Sequence, residues 1–426
     1  MINRVLLTLV FTLSFLTYLA PELTVSVQLA PLILFAGLVF FQVVCSSSFL
    51  RAVGSLFELD AIYFVFFLSI FIIATSVGSA YDKSLTFGAF ISLCLILARL
   101  YMAVVPIREV LEAYFWSGIV SVAILMALGF GGLMQSLETL ERFTPFSFHP
   151  NLLAFLLAGY FCVMVWKFIT GRWRMKILSG LVGFACLVII FLAASRGSLV
   201  GIVAGLLFVA GMEIVRAKKG QRQKILRFSL LTASLLLGLF LYVQNLEQTH
   251  AALSYADEVL QFSDDYRGLG SGLSGRLDRW KEVTRVFSDG TFLIGRGMRY
   301  TDLSEATIID NSYLVILYEV GLIPLILITW RFFGIARRFV GNYFHSLTES
   351  QRNFNLACSL LMVTLLVNNI VDRYLFGVGN PYSLVAFLMF ATPTGQREHF
   401  LKPAEGDAGL SRRIAARHVS NTQPTS

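Results

Sequence analysis

The 426-residue chain predicts an all-α polytopic membrane protein of about twelve transmembrane helices with one large extracytoplasmic loop domain. Three observations lead there. Hydrophobic residues make up 56% of the chain and charged ones only 14%, against roughly a quarter in soluble domains. Apolar runs of about twenty residues, the length that crosses a hydrocarbon core, recur along most of the sequence. Basic residues gather in alternate connections between those runs, as membrane topology requires.

Taken in order, the runs fall at 4–20, 29–46, 59–78, 84–105, 110–131, 151–170, 178–194, 198–215, 225–243, 311–329, 353–371 and 374–392. The first could pass for a signal peptide, but with so many spans following it reads as an uncleaved helix. The chain then divides into a bundle of about nine helices (1–243), a loop domain (244–310), C-terminal helices (311–392) and a polar, disordered tail (393–426).

Orientation follows from charge. Arg99 and Arg108 flank the fourth connection. Lys167, Arg172, Arg174 and Lys176 fill the sixth, and Arg216, Lys218, Lys219, Arg222, Lys224 and Arg227 the eighth. Arg331, Arg337, Arg338 and Arg352 fill the tenth. These even connections and the basic tail face the cytoplasm by the positive-inside rule, so 244–310 faces outward. The net charge of +8 thus reflects topology and not nucleic-acid binding. Cys45, Cys94, Cys162, Cys186 and Cys358 lie in apolar runs with no CxxC and no Cys/His cluster, which points to neither a disulfide framework nor a zinc site.

Within the outer loop, Tyr255 to Phe262 reads as a short amphipathic helix. Gly270 to Gly275 formally contains GxGxxG, but no strand precedes it and it lies outside the cell, so a flexible hinge fits better than a nucleotide site. Leu277, Trp280, Val283, Thr284 and Phe287 share one side of a helix that would pack on the membrane surface. No internal repeat is visible, and no pair of matching halves with broken helices, which argues against a flippase.

The outer side carries Arg142, Arg196, Arg276, Arg279, Arg296, Arg299 and Arg373. Arg196 and Arg373 stand in turns of a few residues, Ala194-Ser195-Arg196-Gly197 and Val371-Asp372-Arg373-Tyr374. Guanidinium forks suit pyrophosphate, because they donate two parallel hydrogen bonds and stay charged. Snorkelling or ion pairing, as with Asp372 beside Arg373, is the alternative for each. His149-Pro150-Asn151 opens the sixth span, with Pro150 suited to a first helical turn. His149 is either an interfacial cap or a catalytic group. Asp310, Asn311 and Ser312 are all good N-cap residues, and at least one of them caps the tenth span. Glu319 lies roughly 13 Å further along that helix and shares a face with Ser312 but not with Asp310. It reads as a buried anchor to another helix more than as part of the same site.

Together these residues resemble the O-antigen ligase/polymerase superfamily of bacterial envelope enzymes. The resemblance rests on Phe148-His149-Pro150-Asn151-Leu152-Leu153-Ala154, Ala194-Ser195-Arg196-Gly197-Ser198, Ser274-Gly275-Arg276 followed by Trp280, Gly295-Arg296-Gly297, and Asp310-Asn311-Ser312-Tyr313-Leu314 with Glu319 and Gly321. It covers roughly 140–330. It implies a GT-C-like glycosyltransferase of the bacterial inner membrane. The active site would face the periplasm and use no metal and no cofactor. The implied donor is an undecaprenyl-pyrophosphate-linked oligosaccharide, with a chain-length regulator as a further partner. Ligases of the family look like His-Asn-x-x-Leu at the last motif, whereas this chain has Asp310 at the His position, which favours the polymerase branch. The resemblance implies that Arg196 and Arg276 hold pyrophosphate, and Asp310 is the candidate for accepting the acceptor's hydroxyl proton. Arg142, His149, Asn151, Arg279, Asn311 and Arg373 would line the substrates. Nothing carries over to Arg296. A ligase acting on a lipid or protein acceptor is the alternative within the family.

Overall fold

The structure is a computed structural model. It describes residues 2–19, 25–44, 49–57, 59–76, 81–139, 143–144, 149–193, 195–217, 291–298, 311–375 and 380–393. Among these, every regular element is helical. The helices are α1 (Ile2–Leu19), α2 (Val25–Val44), α3 (Phe49–Gly54), α4 (Leu59–Ser76), α5 (Tyr81–Val104), α6 (Ile107–Thr139), α7 (Pro150–Thr170), α8 (Trp173–Leu192) and α9 (Arg196–Arg216). After the outer loop come α10 (Ser312–Glu319), α11 (Leu322–His345), α12 (Glu349–Val371) and α13 (Pro381–Ala391). Short 3-10 turns cover Ser55–Phe57 and Thr291–Leu293.

The chain is a polytopic membrane protein. Six described helices are long and apolar enough to cross a bilayer, and four shorter ones are apolar. The expected span at 225–243 and most of the expected loop domain lie outside the described residues. The expected bounds 110–131 are too short, because α6 continues to Thr139, a length of roughly 50 Å. Its last turns carry Gln135 and Glu138, which are polar but good helix formers, so the helix outlasts its apolar stretch.

At the centre lies α7, buried from Leu153 to Met164, which packs on α8, α12 and α9. The contact between α9 and α12 is close because Gly201 and Gly205 face it. A Cβ on Gly201 would stand 3.0 Å from the Thr364 carbonyl, and one on Gly205 would meet Leu360 and the Thr364 hydroxyl. Small residues four apart let helix backbones approach in this way. One end of the bundle is tied by ion pairs. Arg4 on α1 grips Glu109 on α6 at 2.8 and 3.0 Å, and Lys167 on α7 pairs with Glu112. Arg108 reaches Ser350 on α12 at 3.4 Å.

Three further expectations need correction. The tenth span is not one helix over 311–329. It breaks at Val320–Gly321, where Gly321 has φ +97 and ψ 175, backbone values open essentially to glycine alone. Residues 291–298, expected in the outer loop, fill the break. The amides of Arg296 and Gly297 donate to the Tyr318 and Glu319 carbonyls at 3.0 and 2.9 Å, which satisfies the otherwise orphaned end of α10. Gly295, φ +72, lies against the backbone of Glu319 and Val320, so the Gly-x-Gly motif and the Glu319–Gly321 motif form one clamp. This bend stands about 15 Å along the axis from Asn311. Non-helical backbone at such depth is tolerated where protein buries it, and Gly295, Gly297 and Met298 are buried.

The second correction concerns basic residues assigned to connections. Arg99 is wholly buried inside α5, and Arg331, Arg337 and Arg338 lie within α11. The third concerns the last span, which is not 374–392 but Pro381–Ala391, about 16 Å long and too short to cross a 30 Å core alone. The buried arginines explain its end. Arg331 donates to the carbonyls of Phe390 and Thr392 at 2.9 and 2.7 Å, and Arg99 to those of Ala391 and Ser55 at 3.3 and 2.9 Å. Cationic donors suit the negative end of a helix that stops inside the protein.

Candidate functional site

Several helix ends converge opposite the Arg4–Glu109 pair. On α7, His149 precedes the helix in an extended conformation with Pro150 at the first turn. Lys167, at the other end, lies about 27 Å along the axis. The His149 Nδ1 is 3.3 Å from the Tyr374 hydroxyl, in the turn after α12. Asn151 is half-buried in the first turn.

On α10, Asn311 is the cap. Its Oδ1 accepts from the amides of Tyr313 and Leu314 at 2.9 and 3.0 Å, and the residue is buried. This settles which of the three expected capping residues acts. Ser312 turns inward instead. Its hydroxyl donates to Asn369 Oδ1 at 2.7 Å and accepts from the Leu375 amide at 3.2 Å, and its amide donates to the Asp372 carbonyl at 3.0 Å. On α13, Asn380 caps the Ser383 amide at 2.6 Å, and the Ser383 hydroxyl donates to the Tyr374 carbonyl. The turn Asp372-Arg373-Tyr374-Leu375 is therefore held by α7, α10, α12 and α13 together, with Arg373 exposed at its tip.

The α9 end differs. Ser195 occupies the cap position but makes no capping bond; its hydroxyl donates to that of Ser198 at 3.2 Å. Asn368 Nδ2 donates to the same Ser198 oxygen at 3.2 Å. The cap residue of α7 likewise makes no side-chain capping bond. Two helix N-termini are thus capped by asparagines, and the two that carry His149 and Arg196 are not. Helix N-termini present amides and partial positive charge, a setting that favours phosphate. At the neighbouring end of α8, the Leu192 carbonyl accepts from the Phe143 amide at 2.9 Å, so that helix's negative end is partly satisfied within the fold.

Of the residues singled out from sequence, the structure brings together His149, Ser195, the backbone of Arg196, Asn311, Ser312 and the turn with Arg373, with Asn151 in the first turn behind His149. Arg142, Arg276, Arg279 and Asp310 lie outside the described residues, as does the side chain of Arg196. Glu319 is buried, and its carbonyl is one of the two held by the Gly-x-Gly clamp. Sequence reasoning passed over Asn368, Asn369 and Tyr374. The signal was present: two adjacent asparagines within an apolar span are costly in a membrane and mark a site by default.

Residues 181–329 match the family model described as O-antigen ligase. The chain carries an O-antigen ligase domain. The resemblance read from the motifs is thus borne out, and enzymes with this domain transfer lipid-linked glycans. The match takes in Ser195–Ser198, Ser274–Arg276, Gly295–Gly297 and Asp310–Gly321, and spans about a third of the chain. His149 and α12 lie beyond it. No curated protein matches the chain.

Proposed function

We propose that this chain is an inner-membrane polymerase of lipid-linked polysaccharide repeat units, exopolysaccharide or O-antigen, of GT-C-like architecture with about twelve crossings. The growing glycan on undecaprenyl pyrophosphate is the donor, and one lipid-linked repeat unit is the acceptor. On the outer, periplasmic face a hydroxyl of the acceptor sugar attacks the donor's anomeric carbon. A new glycosidic bond forms, the bond to pyrophosphate breaks, and undecaprenyl pyrophosphate leaves with the bonding electrons. Asp310 takes the hydroxyl proton. The leaving group is already good, so catalysis is mainly positioning and stabilisation of negative charge. Arg196 and Arg276 supply that stabilisation, Arg196 from the first residue of an uncapped helix. Arg142, His149, Asn151, Arg279 and Arg373 line the substrates, and Asn311 fixes the helix that follows Asp310.

One observation carries the reading. Within the O-antigen ligase match, the N-terminal turns of α9 and α10 are both hydrogen-bonded, through Ser198 and Ser312, to adjacent residues of α12. The family description favours a ligase, and Asp310 in place of the ligases' His favours a polymerase. Purified protein given only lipid-linked repeat units separates them. Longer lipid-linked glycans support the polymerase. Transfer solely onto an added lipid or protein acceptor makes it a ligase, and no transfer to either refutes both.

A further inference from the structure

We propose that Asn368 and Asn369 are positioning residues that set the α9 and α10 N-termini against each other, fixing the pyrophosphate-holding and proton-accepting halves of the site through one pair of side chains. The inference rests on the glycan-transfer reading above. Consecutive helical residues point about 100° apart, so a single pair can reach two neighbours on different sides of α12. Asn368 reaches Ser198, two residues after Arg196, at 3.2 Å. Asn369 reaches Ser312, two residues after Asp310, at 2.7 Å. Both asparagines are fully buried, as is Ser198.

The two bonding patterns differ in a telling way. Asn369 is engaged at both amide atoms: its Oδ1 also accepts from the Tyr374 amide at 3.2 Å, and its Nδ2 donates to the Leu365 carbonyl at 2.8 Å. It therefore couples α10 to the turn that contacts His149. Asn368 donates to Ser198, but its Oδ1 accepts no hydrogen bond from any described residue. A buried acceptor without a partner costs roughly 1–3 kcal/mol, which packing alone would remove by using an apolar side chain. The gain from Asn368 is instead the fixed place of the α9 first turn, where Ser198 already receives Ser195. Because the two serines belong to different helices, each half of the site can be loosened without the other.

The test uses the purified full chain. It measures the Kd for undecaprenyl pyrophosphate and the turnover at saturating lipid-linked repeat unit. Asn368→Ala and Ser198→Ala should each weaken undecaprenyl pyrophosphate binding about tenfold and, because the same turn carries Arg196, lower turnover as well. Asn369→Ala and Ser312→Ala should each lower turnover about tenfold and leave that Kd within about twofold. Each asparagine–serine double variant should be no worse than its worse single, since both changes delete one bond. The serine variants keep the test open should an asparagine variant misfold. Ser198→Ala and Ser312→Ala proteins that are folded and share one phenotype, or have none, overturn the pairing. Wild-type protein that elongates nothing refutes the polymerase reading separately, and the binding arm still decides whether Ser198 and Ser312 act differently.

Discussion

Gly321 offers the sharpest test of the architecture. With φ +97 and ψ 175, it holds a conformation closed to residues with a side chain, and a Cβ there would lie 2.6 Å from both the Ile294 nitrogen and the Leu293 carbonyl carbon. Both are backbone atoms, so no rotamer change relieves the clash. Gly321→Ala must force the 291–298 segment away or bend α10 against α11. Backbone strain of this kind costs about 1–3 kcal/mol. Retreat of the segment would also break the Arg296 and Gly297 bonds to the Tyr318 and Glu319 carbonyls, at roughly 1 kcal/mol each. The expected loss is about 4 kcal/mol. At about 2.1 cal/mol/K per residue over 426 residues, that is a fall in Tm of about 5 °C for detergent-solubilised protein. Gly334→Ala is the control: this glycine is inside α11 with nothing within 4 Å of its Cβ position, and alanine should be neutral or slightly stabilising. A Gly321→Ala protein that melts with the wild type would mean that α10 and α11 run through and the clamp does not exist.

Further expectations follow from the site and from the short last helix. Arg331→Met leaves the Phe390 and Thr392 carbonyls without their donor and should destabilise by about 3 kcal/mol, measured by the same melt; Arg337→Met, at an exposed position of the same helix, should not. Arg196→Lys keeps the charge but loses the fork, and at normal protein level turnover should fall about 10²-fold, roughly 2.7 kcal/mol of transition-state stabilisation; full activity would remove pyrophosphate from Arg196. Asp310→Asn should insert normally and elongate almost nothing, with single lipid-linked repeat units accumulating, whereas near wild-type turnover would move the base elsewhere. Single cysteines at Ser271 and Gln221 should differ in labelling by a membrane-impermeant thiol reagent, the first reacting from outside and the second not.

The helical, membrane-spanning character was legible because the bilayer imposes it twice, once through length and once through apolar composition. What hydropathy could not reveal is where an apolar run stops being one helix. Leu314 to Ile328 reads as one apolar run with a single carboxylate, Glu319, yet Gly321 breaks it, and only the partner segment at Gly295 explains why the break is stable. Arginines misled for a related reason. A charge counted as a loop marker can equally be the cap of a helix that ends inside the bundle, as Arg99 and Arg331 show, and charge alone does not separate the two. At the site, the motifs near His149, Arg196 and Asn311 were readable as local patterns. Asn368 and Asn369 were harder to read, because their meaning lies in contacts made 170 and 57 residues away.

Asn311 also changes how Asp310 is to be understood. Three consecutive polar residues before an apolar helix compete for the cap, and while that was open, any loss on mutating Asp310 could have been a lost cap. In the structure the cap is occupied: one Asn311 oxygen takes both the Tyr313 and Leu314 amides, and Ser312 is committed to Asn369. Capping alone therefore gives no reason for a carboxylate at 310. Asn311 does the capping, so under the proposed mechanism a loss on mutating Asp310 would report a lost base rather than a lost cap.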